Sequence, residues 1–256
     1  MKEVTSVVHL KRYSDGVATL TMMKEKTLNA LDETLLVELL EKFKEADADD
    51  DIKVVILTGS GRGFCSGVDL TGGLLQENAD KLDEWIIQFA NPVVEYIRSM
   101  PTVVIAAVNG VAVGAGVSLA LACDIVISAA SARYFLSFAK VGVAMDMGAS
   151  WVLNRRIGPM RTAALTMSAD FLDAEKAQAW GLTYEVVDDA ELMSRTCEFA
   201  SRIASRPLLT LGALKSQINY ANTATLSETL DYEAQMQGML MRTVQTQQLI
   251  KEFSER

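Results

Sequence analysis

The chain has 256 residues, half of them hydrophobic and 22% charged, with a formal net charge of −9. That length buries one sizeable core, alone or with a smaller helical appendage. The acidic balance argues against nonspecific nucleic-acid binding, but a few local cations can still hold a small anionic ligand. Three cysteines, Cys65, Cys123 and Cys197, show no metal-ligand spacing, and their odd number argues against a disulfide framework. They read as reduced thiols of a cytoplasmic protein. No N-terminal stretch has the basic-then-apolar layout of a secretion signal. The long apolar stretch 103–122 is interrupted by Asn109, Gly110, Gly114 and Gly116, so it reads as strand, turn and helix rather than a membrane span.

In chain order, Val4 to Arg12 and Val17 to Met22 predict two strands joined at the turn sequence Ser14-Asp15-Gly16. Leu31, Leu35, Leu39 and Phe43 fall at helical spacing and predict an amphipathic helix from Leu31 to Ala48. An acidic turn, Asp47 to Asp51, leads into a strand from Lys53 to Thr58. Gly72-Gly73 predicts a hinge, followed by a helix from Lys81 to Arg98 that Pro92 kinks. Val103 to Val108 is a β-branched run and predicts a buried strand, and Ala115 to Cys123 predicts a helix. Asp124 to Ser128 and Arg133 to Ser137 follow as short strands. Short helices are predicted at Ala149–Arg156, Met160–Ser168 and Ala174–Ala179. Long helical patterns run from Ala190 to Ser205, Leu208 to Asn222 and Ser227 to Phe253. No internal repeat or linker is visible. Strand–helix alternation followed by all-helical sequence fits an α/β core with a helical C-terminal part, divided near residue 190 into a core of residues 1–190 and a helical region of residues 191–256.

Two stretches stand out. Gly63-Phe64-Cys65-Ser66-Gly67-Val68-Asp69-Leu70 and Asn109-Gly110-Val111-Ala112-Val113-Gly114-Ala115-Gly116 each follow an apolar, β-branched run. Each reads as a strand that stops at a turn of small residues. Such turns let backbone N–H groups approach a ligand closely. Two of them aimed at one carbonyl oxygen make an oxyanion hole from backbone alone.

These stretches resemble motifs of the crotonase superfamily, the enoyl-CoA hydratases and isomerases. Leu28-Asn29-Ala30-Leu31, Cys123-Asp124-Ile125, Phe138-Ala139-Lys140-Val141-Gly142 and Ala179-Trp180-Gly181-Leu182 extend the resemblance along nearly the whole chain. It departs from the pattern at Ser66 and Ala115, where the family has alanine and glycine. The resemblance implies a stacked-sheet, spiral-like core of ββα units and a C-terminal helical region that assembles a homotrimer or a dimer of trimers. It implies an acyl-CoA thioester as substrate, coenzyme A entering only as part of that substrate, with no metal or other cofactor. By position it makes the N–H groups of Ser66 and Ala115 the oxyanion donors.

Proton transfer needs a positioned acid or base. The family's hydratases use two glutamates, at positions occupied here by Ser118 and Phe138. Ordinary hydration is therefore disfavoured. Asp146, in Val141 to Trp151, matches an aspartate that shuttles a proton in double-bond isomerase branches and acts as a nucleophile in dehalogenases. Met145 replaces the proline that precedes it there. Met145, Met147, Phe138 and Trp151 would desolvate Asp146 and raise its pKa. The competing reading makes Asp146 the N-cap of the helix from Ala149. Glu84 and Glu95 are candidate second carboxylates. His9, the single histidine, falls in the first strand, away from both turns.

Lys24, Lys26 and Arg62 are candidate partners of the coenzyme A phosphates. Ala30, Phe64, Gly67, Asp69, Leu70 and Gly114 belong to the same motifs and are carried with them as coenzyme A-binding positions. Asp69 reads as a brace for the first turn and Asp124 as a local brace. Trp85 and Phe89 are candidates for an acyl pocket. The expected activity is a double-bond shift in an acyl-CoA thioester. The alternatives are a hydratase-like, hydrolytic, dehalogenating or decarboxylating reaction on the same fold, or a noncatalytic coenzyme A-binding or scaffold protein.

Overall fold

The structure, a computed structural model, describes residues 6–69 and 79–255. Leu70 and the Gly72-Gly73 hinge lie outside the described residues. Among the described residues, ten strands form two sheets. The first has six strands in the order β1-β2-β3-β5-β7-β10: Val8–Arg12, Val17–Met22, Val54–Gly59, Val103–Val108, Ile125–Ala129 and Glu185–Val187. β1 and β2 pair antiparallel, and the remaining pairs are parallel. The second sheet has the order β4-β6-β8-β9, with Gly63–Cys65, Val111–Val113, Arg133–Phe135 and Phe171–Asp173.

The chain alternates between the sheets. β3 leads to β4, β5 to β6 and β7 to β8, and the members of each set are neighbours in their own sheet. After β6 comes helix α3 (Ala115–Ala122), and after β8 come α4 (Phe138–Val141) and α5 (Ala149–Ser168). This is a spiral of ββα turns, as the resemblance implied. It is a repeat of topology that leaves no repeat in the sequence. β4 and β6 are only three residues long, too short for a period-2 pattern to show. The two glycine-rich stretches are therefore not simple turns after a strand; each contains a short strand of the second sheet.

All six residues of β3 and of β5 are buried, which suits parallel strands covered on both faces. Helix α1 (Glu33–Asp47) starts where Asp32 accepts the Leu35 N–H at 2.9 Å, and its Leu35, Leu36, Leu39 and Phe43 are buried. Helix α2 begins with Leu82–Trp85, widens into a π-helical stretch at Ile86–Ala90 and closes with Asn91–Ser99. The irregularity predicted at Pro92 thus lies on its N-terminal side, because proline supplies no N–H to the preceding turn.

α5 is broken at Gly158 (φ 77°, ψ 163°) before Pro159, as its two predicted halves require. α6 (Ala174–Trp180) leads through β10 to α7 (Leu192–Ala204), which packs on β2, β3, β5 and β7. α8 (Leu208–Ala221) is pinned by Lys215, whose ammonium pairs with Asp124 at 2.8 Å and donates to the Thr102 carbonyl at 2.9 Å. Asp124 also accepts the Val104 N–H at 2.8 Å, the local brace expected of it. The single helix predicted over Ser227–Phe253 is two: α9 (Leu226–Met241) and α10 (Val244–Ser254). Thr243 makes the break by accepting the Thr246 N–H. Neither α9 nor α10 has a buried residue.

Candidate active site

The β3–β4 connection is held by two asparagine side chains. Asn29, fully buried and with φ 58°, donates to the carbonyls of Ser60, Gly63 and Phe64 at 3.1, 2.9 and 3.1 Å. Asn109 donates to Gly61 O at 3.0 Å and accepts the Gly59 N–H at 3.2 Å. Around β4 and β6 the backbones are nearly in contact. A Cβ on Gly116 would lie 2.2 Å from the Cys65 carbonyl oxygen, and one on Gly67 would lie 2.6 Å from that of Val113. Gly67 (φ 83°) and Gly114 (φ 50°) also adopt conformations that side chains resist.

This lock decides which N–H groups are free. Ser66 donates its N–H to Leu28 O at 2.9 Å and its hydroxyl to Thr27 O at 2.7 Å. The expectation that Ser66 supplies an oxyanion donor is therefore corrected: its N–H already has an acceptor. The turn at Gly67 moves the free donor to Val68. Leu31 takes the bonds on either side of it, donating to Gly67 O at 2.7 Å and accepting from Asp69 N at 3.1 Å. In such a parallel bridge the bracketed residue turns its own N–H away. The Val68 N–H has no acceptor among the described residues. The Ala115 N–H likewise has none, being the first of helix α3. All eight residues of α3 are buried, so the positive end of its dipole reaches the site with little screening.

Val68, Gly114 and Ala115 line one cavity of about 310 Å³ with Ser66, Gly67, Trp85, Phe138 and Asp146. Asp146 Oδ1 is buried without a hydrogen-bond partner among the described residues. Burial pushes the Asp146 carboxyl up to about 6, its own backbone N–H opposing slightly. The capping reading fails: the N-cap of α5 is Gly148, and no side chain caps it. It is the Asp146 backbone carbonyl that receives the Ala149 N–H, at 3.0 Å. Met147 (φ 48°) and Gly148 (φ 78°) follow in the left-handed region, so the loop carries strain beside its carboxylate.

Other expected residues fall elsewhere. Phe64 is fully buried in β4 and Ala30 is 4% exposed, so both side chains pack the core. Lys24 pairs with Asp32 at 2.5 Å, which occupies its charge, whereas Lys26 and Arg62 are exposed and have no partner among the described residues. Asp69 follows the bridge at Val68. Glu84 is exposed on α2, and Glu95 lines a different cavity of about 600 Å³. Ser118 is buried, its hydroxyl 3.4 Å from Gly114 O. Trp85 lines the Asp146 cavity; Phe89 does not, but contacts the Trp85 ring at 5.8 Å between centroids. His9 is exposed on β1. Sequence reasoning missed Val68 and also Asp83, which lines the cavity from the exposed side of α2. The positive φ of Gly67, which redirects the chain one residue later, is the signal that points to Val68.

The fold and the paired backbone donors define a crotonase-type protein. The family profile described as enoyl-CoA hydratase/isomerase matches residues 12–256. The chain is 38% identical to the 1,2-epoxyphenylacetyl-CoA isomerase of Escherichia coli, over 95% of this chain and 94% of that protein. It is 33% identical to a probable enoyl-CoA hydratase of Rhodobacter capsulatus, over 97% and 96%. The crystal structure of a putative enoyl-CoA hydratase/isomerase from Mycobacterium abscessus superposes with a TM-score of 0.91 at 30% identity, covering 97% of this chain and 96% of that one. The chain belongs to the enoyl-CoA hydratase/isomerase family of the crotonase superfamily. Among the described residues no helix is long and apolar enough to cross a membrane.

Proposed function

We propose that the protein moves a carbon–carbon double bond along an acyl-CoA thioester, with Asp146 as the single acid/base and the N–H groups of Val68 and Ala115 as the oxyanion hole. The observation that carries this reading is one desolvated carboxyl sharing a cavity with two unpaired backbone donors. Ionised Asp146 takes a proton from carbon 2 of a 3-enoyl thioester. The electron pair of the broken C–H bond moves into a dienolate, and negative charge gathers on the thioester oxygen. Two fixed N–H groups stabilise that oxygen more than the neutral carbonyl, which is the condition for lowering a barrier. The protonated Asp146 then delivers its proton to carbon 4, leaving the double bond conjugated with the carbonyl. A group near pKa 6 is ionised at neutral pH and still acidic enough to return the proton.

Hydration is a weaker reading. Ser118 and Phe138 stand where the family's hydratases carry glutamates, and neither can activate water. The name of the Escherichia coli relative, an isomerase, supports a rearrangement without added water. Lys26 and Arg62, charged and exposed, are candidate partners for coenzyme A phosphates. Self-assembly into a trimer or dimer of trimers belongs to the same proposal: α9 and α10 expose Leu226, Leu230, Val244 and Phe253.

The test is a panel of 3-enoyl-CoA thioesters followed by ultraviolet absorbance and mass spectrometry. Conjugation at unchanged mass supports the reading, and a product heavier by one water overturns it. Asp83→Asn checks the number of carboxylates: retained conversion supports one, and abolished conversion would mean two.

A further inference from the structure

Among the described residues, the cavity lining holds one buried, unpartnered side-chain polar group that the double-bond shift does not use. The Val68 and Ala115 N–H groups face a thioester oxygen in the proposed reaction, and Asp146 exchanges a proton. Ser66 already has acceptors for its N–H and its hydroxyl. Trp85 remains. It is 7% exposed, lines the cavity and has no hydrogen-bond partner for Nε1 among the described residues. An indole N–H can only donate, and a buried N–H without an acceptor is costly to keep. A phenylalanine would fill apolar space here without that cost. A hydrocarbon acyl chain would leave the N–H unpaired even in the occupied site.

We propose that Trp85 recognises an oxygen atom in the acyl portion of the substrate, so that the site selects oxygen-bearing acyl thioesters over plain hydrocarbon ones. This inference rests on the acyl-CoA reading above and deepens it. Trp85 ends the α-helical turn Leu82–Trp85, immediately before the π-helical stretch Ile86–Ala90. Irregular turns of this kind recur at functional sites. The N–H is sealed from solvent while the residue that carries it lines the cavity. Sites built to hydrogen-bond a substrate discriminate strongly against analogues that lack the partner, because the buried group is then stranded.

The test reads binding, not turnover. Saturated acyl-CoA thioesters of one chain length are compared by calorimetry with matched analogues carrying a ketone at carbon 4, 5 or 6. The wild type is measured beside Trp85→Phe. A second variant has Trp85 replaced by benzothienylalanine, which keeps the ring shape and lacks the N–H. At one ketone position the wild type is expected to favour the oxygenated ligand over the hydrocarbon one by about tenfold, and both variants are expected to lose that preference. Binding with the same ketone-to-hydrocarbon ratio in wild type and the benzothienyl variant at every position would overturn this inference alone. No binding of any thioester by folded wild type would overturn the acyl-CoA reading together with it.

Discussion

The two halves of the site are built in opposite ways. The proposed oxyanion donors sit in backbone packed so closely that glycine is required: a Cβ on Gly67 or Gly116 would lie 2.6 or 2.2 Å from a carbonyl oxygen. The Asp146 loop is open. Residues 141–144 are exposed, and Gly148 would place a Cβ no closer than 3.8 Å to Val94. Donors for a developing charge must not reorganise as the charge appears, so they are fixed by packing. An acid/base needs a tuned pKa, which desolvation supplies from a looser loop. The difference teaches that the proposed reaction divides its work between a rigid backbone and a strained side-chain loop.

Asp146→Asn breaks the second half and leaves the first intact. Its expected effect is the largest, a loss of about 10³- to 10⁴-fold in kcat, measured by the rate of conjugation. The same variant should fold more stably. A carboxyl raised from 3.8 to about 6 gives stability that is present below about pH 4 and lost as pH rises through 6. Asparagine does not titrate, so the variant gains up to about 3 kcal/mol above pH 6 and nothing below pH 4. Thermal melts at pH 4 and 7.5 check this, and an unchanged difference between the two would count against the buried carboxyl.

Gly67→Ala attacks the first half. Its φ of 83° and the Val113 carbonyl both resist a Cβ. We expect about 3 kcal/mol of destabilisation in denaturant titrations and about 10²-fold slower turnover in the protein that remains folded. The pH profile sharpens the contrast. Because the base must be ionised, kcat/KM is expected to rise with pH and level off above about pH 6, the carboxyl's value. A profile flat from pH 4 to 8 would show that the reaction does not need this ionisation. Lys26→Ala and Arg62→Ala touch neither half. Each is expected to raise KM by about threefold with kcat unchanged, and less so at high salt.

Much of this was legible in the sequence. β3 and β5 announce themselves as β-branched runs, and the glycines of both stretches mark the places where backbones meet. Asp146 was identifiable because its loop resembles the aspartate segment of double-bond isomerase branches, and its apolar sequence neighbours predict desolvation. The free donor was not. Whether Ser66 or Val68 has an unpaired N–H depends on pairing with Leu28 and Leu31, nearly forty residues earlier, and local sequence carries no record of that register. The unpaired Trp85 N–H is equally a property of packing. Phe64 shows the opposite error: motif membership drew it toward the ligand, while its side chain fills the core.

The measurement closest to the central claim follows one proton. A 3-enoyl-CoA carrying deuterium at carbon 2 is turned over once in ordinary water, and the product is read by mass spectrometry and NMR. Delivery by a single sheltered carboxyl predicts that part of the label reaches carbon 4, and that Asp146→Asn abolishes the transfer. Product containing an added water, or label transfer undiminished in Asp146→Asn, would contradict it.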